Sequence, residues 1–153
     1  MVAVRQIVIF KLGNEEYGLD IKKVVEIILH QEIRKIPDVP KHIEGIVSLR
    51  GDIHPIYNLR TRFNMEAAVA DEHTKIIVIR TVERNIGFIV DSVSEILSIP
   101  KGDIQDAPSI VNTGTAQYIQ GVAKQDKRLI VLLDIDKLVS EQDYKVMETM
   151  IED

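Results

Sequence analysis

Apolar and polar residues alternate in short runs along most of this chain, and most runs stop near a Gly, Pro, Asn or Asp. Alternation with a period of two marks a strand with one buried face. Val4–Leu12 alternates and stops at Gly13-Asn14, and Glu16–Ile21 follows, which predicts an opening β-hairpin. Lys22–Ile28 fits a single helical turn or the start of a strand equally well. Glu32–Ile36 predicts another short strand, ended by Pro37. Pro37 and Pro40 bracket a loop, because proline lacks a donor and restricts the residue before it. Lys41–Leu49 predicts a short helix that runs into a turn at Arg50-Gly51. Asp52–Leu59 predicts a strand in which Pro55 requires an edge position or a bulge.

The second half keeps the same rhythm. Met65–His73 is polar and alanine-bearing and reads as a linker between two halves. Lys75–Arg80, Ile86–Val90 and Ser94–Ile99 predict three strands, and Pro100–Thr115 a loop. Tyr118–Ala123 and Leu129–Ile135 predict strands around a turn at Gln125-Asp126-Lys127. Asp134 and Asp136 then read as starting the turn after that strand. Ser140 opens a C-terminal helix, with Ser140 and Asp143 spaced as a capping box. Val146, Met147, Met150 and Ile151 share one face of that helix.

The rhythm is also a repeat. Ile7-Val8-Ile9-Phe10 matches Ile76-Ile77-Val78-Ile79 at an offset of 69, and the same offset carries Gly18 onto Gly87, Glu26 onto Glu95 and Ile27 onto Ile96. A second run, Ile43-Glu44-Gly45-Ile46-Val47, matches Ile119-Gln120-Gly121-Val122-Ala123 at an offset of 76 and continues to place Asn58 on Asp134. The predicted organisation is one domain over 1–153, with a first subdomain over about 14–72 and a second over about 73–139 into which the N-terminal strand can exchange, then a helix over 140–153. Each half of about 65–75 residues is marginal alone, so their interface must carry much of the stability. The seam between them is either closed or a place for a ligand or partner. The fold class is mainly β, as two small barrels packed side by side with a C-terminal α-helix.

Composition narrows the chemistry. Aromatics are 5% of 153 residues with no Trp, so the core must be built from Ile, Val and Leu. The chain has no Cys, which removes disulfides and thiolate metal sites. A net charge of −5 gives no hint of a basic face for nucleic acid and leaves only a local patch open. An oligonucleotide-binding pair of barrels would need basic grooves with stacking aromatics. No stretch approaches the roughly 20 apolar residues of a membrane span, and Met1–Phe10 lacks the regions of a signal peptide, so a soluble intracellular protein is expected. His30, His42, His54 and His73 lack a metal-binding spacing. No phosphate-binding glycine loop is present, and Ser48 and Ser92 lack nucleophile-elbow glycines. An enzyme would need acids or bases clustered at the seam. Two features are left open. Arg50 either pairs with an internal carboxylate, Glu26 being the candidate, or presents its guanidinium to a partner. Val24, Ile27 and Ile28 are either core or an exposed protein-binding patch.

These residues also form a series that resembles the CheW family of bacterial chemotaxis coupling proteins. It runs from Glu16-Tyr17-Gly18-Leu19-Asp20-Ile21 and Val24–Ile27 through Ile43-Glu44-Gly45-Ile46-Val47-Ser48-Leu49-Arg50-Gly51 and Pro55-Ile56-Tyr57-Asn58-Leu59-Arg60. It continues in Gly87-Phe88-Ile89-Val90-Asp91-Ser92-Val93 and Leu129–Leu138, in family order over nearly the whole chain. Two departures are Ser48 for the usual Asn and Asn58 for the usual Asp. The resemblance implies two five-stranded SH3-like β-barrels around a hydrophobic junction. It implies a non-enzymatic adaptor, without metal or cofactor, in the cytoplasm and recruited to membrane-associated receptor arrays without inserting in the membrane. The implied partners are the regulatory domain of the histidine kinase CheA and the cytoplasmic tip of chemoreceptors, the methyl-accepting chemotaxis proteins. The kinase and receiver domains of related proteins have no counterpart in this sequence. By the same resemblance Val24, Glu26, Ile27 and Ile28 belong to a partner-binding segment. Gly45, Arg50 and Gly51 belong to a second functional stretch. Gly87, Ile89, Val90, Asp91 and Val93 belong to the junction.

Overall fold

The computed structural model describes residues 3–106 and 117–151. In chain order its strands are β1 (Val4–Leu12), β2 (Glu15–Asp20), β3 (Val24–Leu29), β4 (Ile43–Leu49), β5 (Asp52–Asn58), β6 (Lys75–Arg80), β7 (Asn85–Val90), β8 (Ser92–Pro100), β9 (Ile104–Asp106), β10 (Ile119–Gln125) and β11 (Arg128–Leu133). Two one-turn helices, α1 (Leu59–Arg62) and α2 (Ile135–Leu138), follow β5 and β11, and α3 (Glu141–Ile151) ends the chain. The architecture is mainly β, with two packed sheets and a C-terminal helix. One sheet has six strands in the order β8-β1-β2-β11-β10-β9, and the other has five in the order β3-β6-β7-β5-β4.

Every strand pairing is antiparallel except β2 with β11 and β7 with β5. Those two are equivalent under the sequence repeat. The sheets do not follow the halves of the chain. The β1–β2 hairpin joins β8–β11, and the β6–β7 hairpin joins β3–β5. Each sheet therefore takes one hairpin from the other half, and the chain crosses between sheets twice, at a 3-10 turn over Ile21–Lys23 and at Asp91.

This exchange explains the runs of apolar residues. In β1, Ile7 and Ile9 enter a cluster with Ile99, Ala123, Ile130 and Leu132, inside the six-stranded sheet. Phe10 and Leu12 enter a central cluster that joins the sheets. In β6, Ile76 and Val78 pack with Val47 and Ile56 inside the five-stranded sheet, while Ile77 and Ile79 reach the central cluster. Both strands are thus buried on both faces, and a fully buried Ile or Phe contributes about 1.5–3 kcal/mol. Tyr57 and Phe88 meet in the central cluster with ring centroids 5.1 Å apart.

The structure corrects several expectations. Lys41–Leu49 is not a helix: Ile43–Leu49 is a strand in which Ile43, Gly45 and Val47 are buried and the residues between them are not. Gly45 is an inward position without a side chain, because a Cβ there would lie 2.1 Å from the Arg34 carbonyl oxygen. Gly121 repeats this, with a would-be Cβ 2.7 Å from the Gln105 carbonyl oxygen, and a register shift falls beside each glycine. Glu32–Ile36 is not a strand but a single bridge, Arg34 to Ile46, with reciprocal backbone bonds of 2.9 Å. Its counterpart in the other half is β9, which gives that sheet six strands instead of five. Pro55 lies in an interior strand without a bulge at its pairing, and β5 begins to pair with β7 only at Ile56. Lys22–Ile28 divides between the 3-10 turn and β3. Within the expected loop 100–115, Lys101–Asp103 is a 3-10 turn, β9 follows, and 107–115 lies outside the described residues.

The repeat extends to the helix starts. Asn58 accepts from the Thr61 N–H at 3.1 Å and Asp134 from the Lys137 N–H at 3.4 Å, so the two aligned residues cap α1 and α2 alike. Asp134 thereby starts the turn after β11. Helix α3 has the expected box: Ser140 Oγ accepts from the Asp143 N–H and Asp143 Oδ2 from the Ser140 N–H. The same buried carboxylate lies 2.8 Å from His42 Nε2 and accepts from Tyr57, fastening α3 to β5 and to the residue just before β4. Burial pushes the Asp143 carboxyl up, but the bonds from His42 and Ser140 overcome it and hold the carboxyl below its ordinary range.

Two outcomes test this account. Gly45→Ala is expected to lower stability by about 1–3 kcal/mol through displaced backbone, while Gly102→Ala, where nothing lies within 4 Å, changes it by less than about 0.5 kcal/mol. Urea midpoints at unchanged m-value give both. Because the folded pKa of Asp143 is lowered, its contribution is complete above the unfolded carboxylate value of about 3.9 and is lost as pH falls through the lower folded value. The acid-side decline in melting temperature should therefore flatten in Asp143→Asn, a variant already less stable at neutral pH.

Candidate functional site

Strand β3 lies at one edge of the five-stranded sheet, and its residues alternate in burial. Val24, Glu26 and Ile28 are half-buried, and Val25, Ile27 and Leu29 are exposed. Val24 packs against the central cluster and Ile28 against the cluster of its own sheet. Val25 at 42%, Ile27 at 39% and Leu29 at 70% exposure are left in water as an apolar row. The two sequence alternatives are thus divided by parity: Val24 and Ile28 support the core, and Ile27 is on the surface. Val25 and Leu29 belong to the surface as well. Reading β3 as a strand from Val24 would have placed them there.

Glu26 interrupts the inward parity with a carboxylate, and its partner comes from a distant turn. Arg50 and Gly51 link β4 to β5 with φ of 49° and 87°. Positive φ at both central residues is the geometry of the tight hairpin turn that matches strand twist. Gly51 suits it, and Arg50 occupies it at a cost of about 1–3 kcal/mol. There the Arg50 Nη2 donates to Glu26 Oε2. The Arg50 side chain remains 73% exposed, whereas that of Glu26 is 27% exposed. Arg50 therefore both makes the internal pair and leaves most of its donors facing solvent. Ile53, 46% exposed, stands just beyond the same turn.

The remaining candidates lie elsewhere. Gly45 is buried under the Arg34 carbonyl. A Cβ on Gly87 would lie 2.7 Å from Ile56 and 2.8 Å from Ile76, so this residue faces the inner cluster. Val90 is fully buried in the central cluster, Val93 packs against its edge, and Ile89 packs against the inner cluster. The seam is filled by the central cluster along these residues. Asp91 is different. It receives Arg60 Nε at 2.8 Å and Nη2 at 2.6 Å, and the Gly13 N–H at 2.7 Å. The Arg60 bonds chiefly, and the Gly13 N–H against the effect of burial, hold its carboxyl below the ordinary range.

The repeat places a second version of the β3 surface on the other sheet. Ile96 and Leu129, aligned with Ile27 and Ile53, are 54% and 61% exposed. Glu95, aligned with Glu26, accepts from Arg128 Nη2 at 3.2 Å. Arg128 also makes two bonds to Glu16, at 2.9 and 2.7 Å. Sequence reasoning aligned these residues but did not single them out as a surface.

Among the described residues no three His, Asp or Glu side chains converge to hold a metal ion. No described helix is long and apolar enough to cross a membrane. What the arrangement offers is flat apolar area beside oriented charge.

The model of the CheW-like domain family matches residues 6–143 of the chain. Two proteins named Chemotaxis protein CheW, from Klebsiella aerogenes and Treponema pallidum, are each 37% identical to it, over 146 and 149 residues. Both alignments cover 95% of this chain and 88% of the relative. Among solved structures, the scaffolding protein TtCheW from Thermoanaerobacter tengcongensis matches with a TM-score of 0.83 at 34% identity, over 92% of this chain and 96% of that one.

The turn geometry yields a stability test. Arg50→Ala removes an exposed ion pair and is expected to cost no more than about 1 kcal/mol. Arg50→Gly loses the same pair but relieves the left-handed backbone, and should be more stable than Arg50→Ala by about 1 kcal/mol. Thermal melts of the two variants side by side decide it.

Proposed function

The chain belongs to the CheW family, and we propose that it works as a chemotaxis scaffold, a non-enzymatic adaptor that couples chemoreceptors to the histidine kinase CheA. The observation that carries this reading is the exposed apolar row on β3 beside the Glu26–Arg50 pair. Apolar anchors on an edge strand supply affinity, and a charged pair at their margin fixes orientation. A row of this kind suits a protein partner and offers no enclosed place for a small substrate.

In this reading the regulatory domain of CheA covers Ile27 and its exposed neighbours and meets Arg50. Val24 and Ile28 hold the row from beneath, and Gly45 and Gly51 shape the strand and the turn that carry it. The cytoplasmic tip of a chemoreceptor, a helical hairpin, lies along the rim of the junction, where Ile89, Asp91 and Val93 keep part of their surface. Gly87 and Val90 act from inside by fixing the rim. Ile96 and Leu129 give the chain a second apolar face, which a protein that joins partners requires. Coupling demands that receptor states differ in their contacts with this rim, since a ligand shifts an equilibrium only by its differential affinity. The protein works in the cytoplasm, at receptor arrays under the membrane, and needs no cofactor or nucleic acid.

A pulldown with purified CheA regulatory domain and a receptor cytoplasmic fragment tests the reading. The wild type should hold both. Arg50→Ala and Glu26→Ala should each weaken assembly about tenfold, equivalent to about 1.4 kcal/mol, with the fold intact by circular dichroism. Normal assembly and kinase control in both variants would refute the roles of these residues, and a wild type that captures neither partner would refute the adaptor function.

A further inference from the structure

The repeat builds two equivalent hollows, each where the two parallel strands of a sheet end side by side. The first lies at the ends of β5 and β7. Asn58, Arg60, Ile89 and Asp91 line it, with Glu44 from the start of β4 and Thr74 from just before β6. The second lies at the ends of β11 and β2. Asp134, Asp20 and Lys22 line it, with Gln120 from the start of β10 and Arg5 from β1. The repeat offsets carry Arg5 onto Thr74, Asp20 onto Ile89, and Glu44 onto Gln120. The two hollows are the same place in the two sheets.

They differ in what spans them. In the second, Arg5 Nη2 donates to Gln120 Oε1 at 2.8 Å and to Asp20 Oδ2 at 3.4 Å. In the first, Thr74 stands in the place of Arg5, and its hydroxyl is bound to Asp71, donating to Oδ1 at 3.4 Å and accepting the Asp71 N–H at 2.9 Å. No guanidinium crosses this hollow, and its volume is about 220 Å³. Glu44 is left over as a result. It is half-buried and has neither a hydrogen bond nor an ion pair among the described residues, whereas its counterpart Gln120 holds Arg5. A half-buried carboxylate gives up hydration and here gains nothing in exchange. Asp71 lines the same hollow with Oδ1 fixed by the His73 N–H at 2.8 Å, a bond that chiefly holds its carboxyl below the ordinary range. The one guanidinium present, Arg60, is already committed to Asp91. Residues 1–2, 107–116 and 152–153 contain no Lys or Arg. A guanidinium for Glu44 must therefore come from another molecule.

We propose that the first hollow receives an arginine side chain from the chemoreceptor tip, whose guanidinium bonds Glu44 as Arg5 bonds Gln120. The choice of partner rests on the reading that the receptor lies along the rim of the junction, because Ile89 and Asp91 belong both to that rim and to the hollow. Arginine suits the place better than lysine. Its planar fork matches a carboxylate, and Ile89, standing where the second hollow has Asp20, gives its aliphatic stem an apolar surface. One sheet thus takes from a partner what the other takes from its own β1. An ionic contact at this point fixes the position of a helical hairpin along a rim that is otherwise apolar.

The hollow and the partner are tested separately. Argininamide is titrated into the isotope-labelled chain and followed through its amide NMR signals. Those of Glu44 and Asp71 should shift and saturate in the millimolar range, and lysinamide should shift them severalfold less. Glu44→Gln should abolish the saturation, and Asp71→Asn, which keeps the bond from the His73 N–H, should weaken it severalfold. Shifts that do not saturate in the wild type, or that are the same in Glu44→Gln, would overturn the hollow as a guanidinium site. For the partner, the arginines of a receptor cytoplasmic fragment are replaced one at a time by Gln. One replacement should weaken binding to the wild type severalfold and leave binding to Glu44→Gln unchanged, since the two groups act as a pair. Glu44→Arg, which brings its own guanidinium into the hollow, should weaken binding of the unaltered fragment about tenfold. A wild type that binds the fragment while no arginine is coupled to Glu44 overturns the proposal and leaves the adaptor function standing. A wild type that captures no receptor fragment overturns both the adaptor function and the receptor as the source of the arginine, and argininamide saturation then decides the hollow alone.

Discussion

Strands β1 and β6 bury both of their faces, and each needs a cover on either side. One face of each looks into its own sheet and the other into the central cluster, so neither strand can be satisfied by one sheet alone. The two sheets are therefore not independent bodies that touch. The central cluster, with Phe10, Tyr57, Phe88 and the apolar residues of α2 and α3, is the second half of each strand's environment. The filled seam follows directly. So does the placing of the candidate surface, which lies on an edge strand because the space between the sheets is already occupied.

Much of this was legible in the sequence, and the failures have physical causes. The runs Ile7–Phe10 and Ile76–Ile79 announced themselves because every position is apolar. Segment Ile43–Leu49 misled because its apolar residues fall at 43, 46 and 47, a helical spacing. The strand period is restored only when Gly45 is counted as buried, and nothing local shows that a carbonyl from Arg34 passes over it. The repeat left exchange open only for the N-terminal strand, and not for the β6–β7 hairpin, because the aligned halves carry similar side chains and the pattern alone does not assign a strand to its sheet. The pairing of Arg50 with Glu26 on β3 was one of two alternatives that the sequence left open, and the structure contains it, while Val25 and Leu29 were not singled out, because a segment undecided between helical turn and strand has no defined parity.

The site depends on rigidity more than on any reactive group. Arg50 is placed by a turn whose backbone is itself constrained, and Glu26 is placed by a strand whose inward residues on either side, Val24 and Ile28, pack against two clusters. An adaptor gains from this, since ordering costs at an interface are small when the surface is formed in advance.

The segment 65–73 has a consequence of another kind. Beyond Met65, which packs against the central cluster, it is exposed, carries almost no regular structure, and joins β5 to β6 within one sheet. Severing it would not release two domains. Each fragment would carry a hairpin that the other fragment's sheet requires, so the pieces would stay interlocked as a two-chain complex. In its connectivity this protein is already a dimer of two related halves that happen to share one backbone, and a covalent break there would turn an intramolecular exchange into a reversible assembly.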